Sequence, residues 1–243
     1  MSNTFVRDGH NVKHIPANGK ARRLRADARR NRAHILAAAR DLFADYGPGA
    51  PLEDVARRAG VGIATLYRRF PDRQALLRAV ALDIWQHMTA EAHQALTEEP
   101  DAFAALARYM HRTLDLRIGA VMSALTSQLP MDEELHQAAD QSAGAVQAMV
   151  DAAHLEGALR PDVVSGDIGM LIVRLDRPLP GPFSHAENSR LGHRHMDLLI
   201  AGLRANAQDE SAGPLPGPAM TVADLRTLSA EETGTTNPTV RDT

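Results

Sequence analysis

From Asp27 to Tyr46 the apolar residues Ile35, Ala39, Leu42, Phe43 and Tyr46 recur at helical spacing, with Arg40, Asp41 and Asp45 on the other side. Gly47-Pro48-Gly49 ends this helix, because glycine takes the left-handed cap and proline cannot continue the hydrogen-bond ladder. A short helix is expected from Leu52 to Ala59, burying Leu52, Val55 and Ala56, leaving Arg57 and Arg58 outside, and stopped by Gly60. A second, Ile63 to Phe70, buries Leu66 and Phe70. Asp72, after Pro71, is the expected N-cap of a long helix reaching about Leu96, with Leu76, Leu77, Val80, Ile84 and Met88 inward.

Beyond Pro100 the period stays helical. Phe103, Leu106, Met110 and Leu114 form one stripe, and Val121, Leu125 and Leu129 form another that Pro130 ends. Leu135, Ala139, Ser142, Val146, Met149 and Ala153 mark a long helix closed by Gly157 and Pro161. A short apolar helix, Asp167 to Leu175, runs into the stiff connector Arg177–Pro182. The last helix, Ala186 to Ala205, carries Leu191, His195, Leu198, Leu199 and Leu203 on one side. No segment alternates as a strand, so the fold class is all-α. Residues 1–26, polar and rich in arginine, read as a basic disordered arm, and residues 207–243, rich in Pro, Gly, Thr and Glu, as a disordered tail.

Composition agrees with helices: hydrophobic residues make up 44% of the chain but aromatic residues only 4%, so strand formers are thin. No cysteine is present, which excludes disulfides and thiolate metal sites. There is no apolar leader and no window approaching the roughly 20 apolar residues of a bilayer span, so a cytoplasmic protein with no membrane partner is expected. The net charge of −3 hides a division. Residues 1–80 carry sixteen Lys and Arg against seven Asp and Glu, and the remainder carries eleven against twenty-three. A basic front suits a polyanion, although a membrane surface or an acidic protein would satisfy charge alone equally well.

The chemistry is localised by the two short helices at 52–70, which have the proportions of a helix-turn-helix. Such a unit needs a rigid turn so that its second helix enters a major groove at a fixed angle. Gly60 permits that turn, and Val61 can plug the space between the helices. The outward set is then Gly62, Ile63, Ala64, Thr65, Tyr67, Arg68 and Arg69: small residues in front for close approach, hydroxyls and guanidinia behind for phosphate. Arg73 stands where it could add another phosphate contact, and Arg23 and Arg25 in the arm could track the backbone or enter the minor groove.

The stretch Ile35–Leu77 closely resembles the DNA-binding domain of the tetracycline-repressor (TetR) family, above all in Ala59-Gly60-Val61 followed by Thr65-Leu66-Tyr67, Phe70 and Asp72-Arg73. The resemblance implies that Thr65 and Tyr67 contact DNA, and that Arg73 takes the place of a lysine that usually holds phosphate. Gly62 stands where the family commonly has serine, Arg69 where histidine or tyrosine is frequent, and Pro51 where a Ser/Thr cap is customary, so a proline is expected in the first turn of that helix. The segment Leu171–Pro182 with the helix after it is similar to the subgroup with SbtR-like C-terminal domains. Membership of such a family implies a three-helix DNA-binding domain at 27–78 and a larger ligand-binding and dimerisation domain at 79–206. The expected function is transcriptional repression, relieved when a small-molecule effector releases a homodimer from a pseudo-palindromic, double-stranded operator.

The effector cavity is expected among the helices of 100–160, with Met110, Met122, Leu125 and Met149 as candidate walls, and the dimer face at Leu171, Leu175, Leu191, His195, Leu198 and Leu199. His10 and His14, and His193 and His195, lack carboxylates at ligand spacing, so neither a metal nor a cofactor is expected. No nucleophile elbow, phosphate loop or carboxylate pair occurs, and no enzymatic role is expected. The competing reading is a helical ligand carrier whose basic head docks an acidic protein or an anionic membrane.

Overall fold

The computed structural model describes residues 17–125, 128–177, 179, 181–205, 213–221 and 224, of which 123 and 124 and most side chains of 17–25 are known only as backbone. Among them the helices are α1 (Ala17–Tyr46), α2 (Leu52–Arg58), α3 (Ile63–Arg69), α4 (Arg73–Glu98), α5 (Ala102–Asp115), α6 (Ile118–Leu125), α7 (Glu133–Leu155), α8 (Ser165–Leu175) and α9 (His185–Leu203). No strand occurs among the described residues; one isolated antiparallel bridge joins Leu159 to Arg204.

Helices α1 to α3 and the start of α4 form the head. Ile35, Leu36, Phe43, Val55, Leu66, Leu76 and Leu77 meet there in a closed core. With 26 residues, α4 runs about 39 Å from the head into the body, where it packs on α5 and α7. α6 bridges the two parts by touching α1 on one side and α8 on the other, and α9 lies on α5. Because α4 and α6 both cross the boundary, a change in the body has two rigid routes to the head.

Three sequence expectations are corrected. α1 begins at Ala17, so residues 17–26 are its first turns and not a disordered arm. No apolar stripe marks that stretch, but alanine and arginine have high helix propensity and extend a helix already nucleated at 35–46. Tyr46 is 71% exposed, because the small Gly47-Pro48-Gly49 turn offers nothing to cover its ring. α9 buries Gly192, Met196 and Leu203 against the body and leaves His195 and Leu198 exposed and Leu191 and Leu199 half-buried, as residues of an outward face would be. Last, 213–221 is not free of the fold. Leu215 N donates to Asp162 (2.7 Å), and Met220 O lies so close to Gly166 that a Cβ there would sit 1.8 Å away. Residues 1–16 and most of the remaining tail lie outside the described residues.

Candidate nucleic-acid interface

The turn between α2 and α3 is built from backbone bonds. Gly60 takes φ +68°. Its N–H donates to Arg57 O (3.2 Å), and Val61 N–H reaches back to Ala56 O (3.0 Å), the paired bonds of a Schellman turn. Val61 packs half-buried on the core, which aims α3. Gly62 then caps α3 with no side-chain bond, and its carbonyl accepts from Thr65 N (2.8 Å) and Leu66 N (3.2 Å). Leu66 (0% exposed) and Phe70 (5%) pin the inner side.

The outer side carries the expected set. Gly62, Ile63, Ala64, Tyr67, Arg68 and Arg69 are exposed, and Thr65 is half-buried with its hydroxyl 3.4 Å from an Arg68 nitrogen. Arg68 and Arg69 have no ion-pair partner among the described residues, so their charge is free to meet phosphate. By contrast Arg57 pairs with Asp54 (2.6 Å), and Arg58 with Asp41 of α1 (2.9 Å). Along α1, Arg22, Arg29 and Arg32 are exposed and Arg30 pairs with Asp27. Arg23 and Arg25 lie on this helix, but their side chains are outside the described residues.

Two local expectations change. Arg73 does not stand over the surface: its Nη1 donates to Pro48 O and Ala50 O, both at 2.7 Å, tying α4 to the α1–α2 turn. Pro51 is the N-cap of α2 itself (φ −60°, ψ 134°) and supplies no side-chain cap, so it stands one place before the first turn. At the start of α4, Asp72 does cap, accepting from Ala75 N (2.7 Å).

In the body, Met110, Leu125 and Met149 are buried in close packing and Met122 is half-buried; none of the four lines either of two clefts. One cleft, about 350 Å³, lies where α1, α5, α6, α8 and α9 converge. The other, about 270 Å³, runs between α4 and α7. Of the expected dimer residues, Leu198 is 62% exposed and His195 is exposed, whereas Leu171, Leu175, Leu191 and Leu199 are half-buried; Met170 adds exposed apolar surface beside them. His193 points away from His195, and its Nδ1 lies 2.9 Å from that of His111. No group of three His, Cys, Asp or Glu among the described residues could hold a metal ion.

Two carboxylates are shifted. Burial pushes Asp176 up to about 6 against the opposing pull of Ala120 N–H and Arg117, while the bond from Arg160, helped by Leu215 N–H, draws Asp162 down to about 2. Sequence reasoning missed Asp176, and also Arg117, whose guanidinium reaches Asp45 at the end of α1 (2.5 Å). Neither has a local signal, since each acts on a residue far along the chain.

A short helix locked from beneath, small and cationic on its outer side, joined through α4 to a helical body, defines a helix-turn-helix regulator. Comparison with known proteins agrees. Residues 35–80 match the family model described as bacterial regulatory proteins, tetR family. A TetR transcription regulatory protein of Mycobacterium vanbaalenii is 33% identical, superposes with a TM-score of 0.54, and aligns over 74% of this chain and 99% of its own. A TetR regulator of Streptomyces coelicolor is 30% identical over 72% of this chain and 99% of its own, with a TM-score of 0.55. The transcriptional repressor LfrR of Mycolicibacterium smegmatis is 40% identical over 87 residues, which span 36% of this chain and 46% of that repressor. The chain belongs to the TetR family of bacterial regulatory proteins.

Proposed function

We propose that this protein is a transcriptional repressor that binds a pseudo-palindromic operator as a homodimer and leaves it when a small molecule occupies the body. One observation carries the reading: α3 offers Gly62 to Arg69 to the outside while Leu66 and Phe70 hold it rigidly from within. A helix held in this way enters a major groove without reordering, with Thr65, Tyr67, Arg68 and Arg69 on phosphates and base edges. The exposed arginines of α1 extend the cationic surface. LfrR, a relative named as a repressor, has a solved structure in complex with proflavine, which supports small-molecule release as the control.

The second copy packs on the side of α8 and α9 that displays Met170, Leu171 and Leu198, so that a two-fold axis sets two recognition helices one turn of DNA apart. The protein works in the cytoplasm, where its operator is; among the described residues no helix is long and apolar enough to cross a membrane. Incubating the full chain with a library of fragments from its own genome and sequencing what it retains tests the reading. Recovery of a fragment with two-fold symmetry is expected, and the absence of any retained DNA at low salt would overturn it.

A further inference from the structure

The larger cleft lies at the joint between head and body. Its walls are the last turn of α1, the turn from α5 into α6, the end of α8 and the first half of α9. Arg117 forms that turn at φ +54°, alone among the described non-glycine residues in taking positive φ. Side chains seldom adopt this region, and they persist there only where the surroundings hold them. Here the holding contacts are visible. Arg117 N donates to Leu114 O (3.0 Å), its carbonyl accepts from Val121 N (3.2 Å), and its guanidinium, 14% exposed, bridges to Asp45.

Three carboxylates, Asp45, Asp115 and Asp176, and three guanidinia, Arg117, Arg174 and Arg177, line the cleft, so its charges balance overall but are not paired one to one. Asp45 is matched by Arg117, and Asp115 meets His193 Nε2 at 3.0 Å. Asp176 is turned to α6, where its carboxylate accepts from Ala120 N (3.0 Å). Two exposed cations on the rim, Arg174 and Arg177, have no ion-pair partner among the described residues. The same cleft is lined by the apolar side chains of Leu114, Leu175, Leu179, Leu191 and Phe183. Two guanidinia without a direct ion pair, in a cleft that also exposes leucine side chains, match a ligand with an anionic head and an apolar body.

We infer that this cleft binds a small amphipathic carboxylate, held by Arg174 and Arg177 at its head and by Leu114, Leu175 and Leu191 along its chain. The assignment deepens the proposed function and rests on it only for its consequence. An occupant shares the cleft with the bridge from Arg117 to Asp45, and the negative charge it brings weakens Asp45's hold on that guanidinium. Loss of that bridge removes one tie between the end of α1 and the turn before α6 and lets the strained turn relax, which alters the set of the head.

Titration calorimetry of the full chain with sodium octanoate tests the site. Saturable binding is expected, with octan-1-ol and octyltrimethylammonium weaker by about tenfold or more, since a charge-assisted bond is lost. The Arg174→Gln/Arg177→Gln variant, altered only at exposed positions, should lose about tenfold in octanoate affinity with an unchanged melting curve. Leu191→Trp, which fills the cleft and keeps both arginines, should also lose binding. Absence of octanoate binding, equal or tighter binding of the cation, or full binding by the arginine variant overturns the site. Fluorescence anisotropy with the retained operator tests the consequence: octanoate should weaken DNA binding about fivefold or more in the native chain and not in Asp45→Asn. Octanoate binding with unaltered DNA affinity overturns that half. A chain that binds octanoate but no DNA refutes the proposed function alone, and one that binds DNA but no octanoate refutes the cleft alone.

Discussion

Tyr67 is 44% exposed on the outer side of α3, whereas Arg73, at the first turn of α4, is folded back onto two carbonyl oxygens. Their substitutions should therefore separate. Tyr67→Ala is expected to weaken operator and unrelated DNA alike, by about tenfold, with no change in melting temperature; a changed sequence preference at full affinity would contradict a phosphate role. Arg73→Ala removes charge-assisted bonds from a half-buried site and should cost about 1.5–3 kcal/mol in urea denaturation. Asp176 gives a pH prediction. Its folded value, about 6, lies above the ordinary 3.8, so the unfolded chain releases this proton first as pH rises. The folded state is then penalised progressively from about pH 4 to 6, and fully above that. Asp176→Asn keeps an acceptor for Ala120 N–H without the buried charge. It should be more stable than the native chain by about 1–3 kcal/mol at pH 7, the difference vanishing towards pH 4.

Elements are set by where the backbone can turn. Gly60 has open space around it, so a methyl group there meets no neighbour and the only obstacle is φ +68°. Gly60→Ala should cost about 1–2 kcal/mol and lower DNA affinity as well, because α3 loses its aim; thermal melts and anisotropy on the same preparation would show both. Gly166 is the opposite case: its φ is ordinary, but Met220 O leaves no room for a Cβ. Gly166→Ala should lift 213–221 off the start of α8 and expose it to protease while the remaining helices keep their protection. Unaltered cleavage would mean that this stretch does not lie on α8 in solution. α1 shows that a helix does not need an apolar face along its whole length. From Ala17 to His34 no described side chain is buried, and the helix continues because it was nucleated further on.

At the scale of the whole molecule, a basic head and an acidic body orient the chain towards DNA and keep the body away from it. Binding that neutralises about six phosphates should weaken roughly 10³-fold between 50 and 200 mM salt. Leu198, 62% exposed, belongs to the surface proposed to meet a second copy; Leu198→Arg should shift the mass in light scattering from dimer to monomer and abolish operator binding at nanomolar chain. Much of this architecture was legible in the order of residues. The apolar period, the capping Asp72, the glycine turns and the outward set on α3 are local, since a helix places neighbours three and four apart on one face and needs nothing else to be known. What the order of residues did not disclose are pairings between distant positions. Arg73 meets carbonyls 23 and 25 positions away, Arg117 meets Asp45 across 72, and Gly192 of α9 lies against Leu114 of α5. Sequence by itself determined the helices and the reading head; tertiary packing alone decided where the cleft opens and which arginines remain free, because both depend on the mutual rotation of helices, which no local spacing specifies.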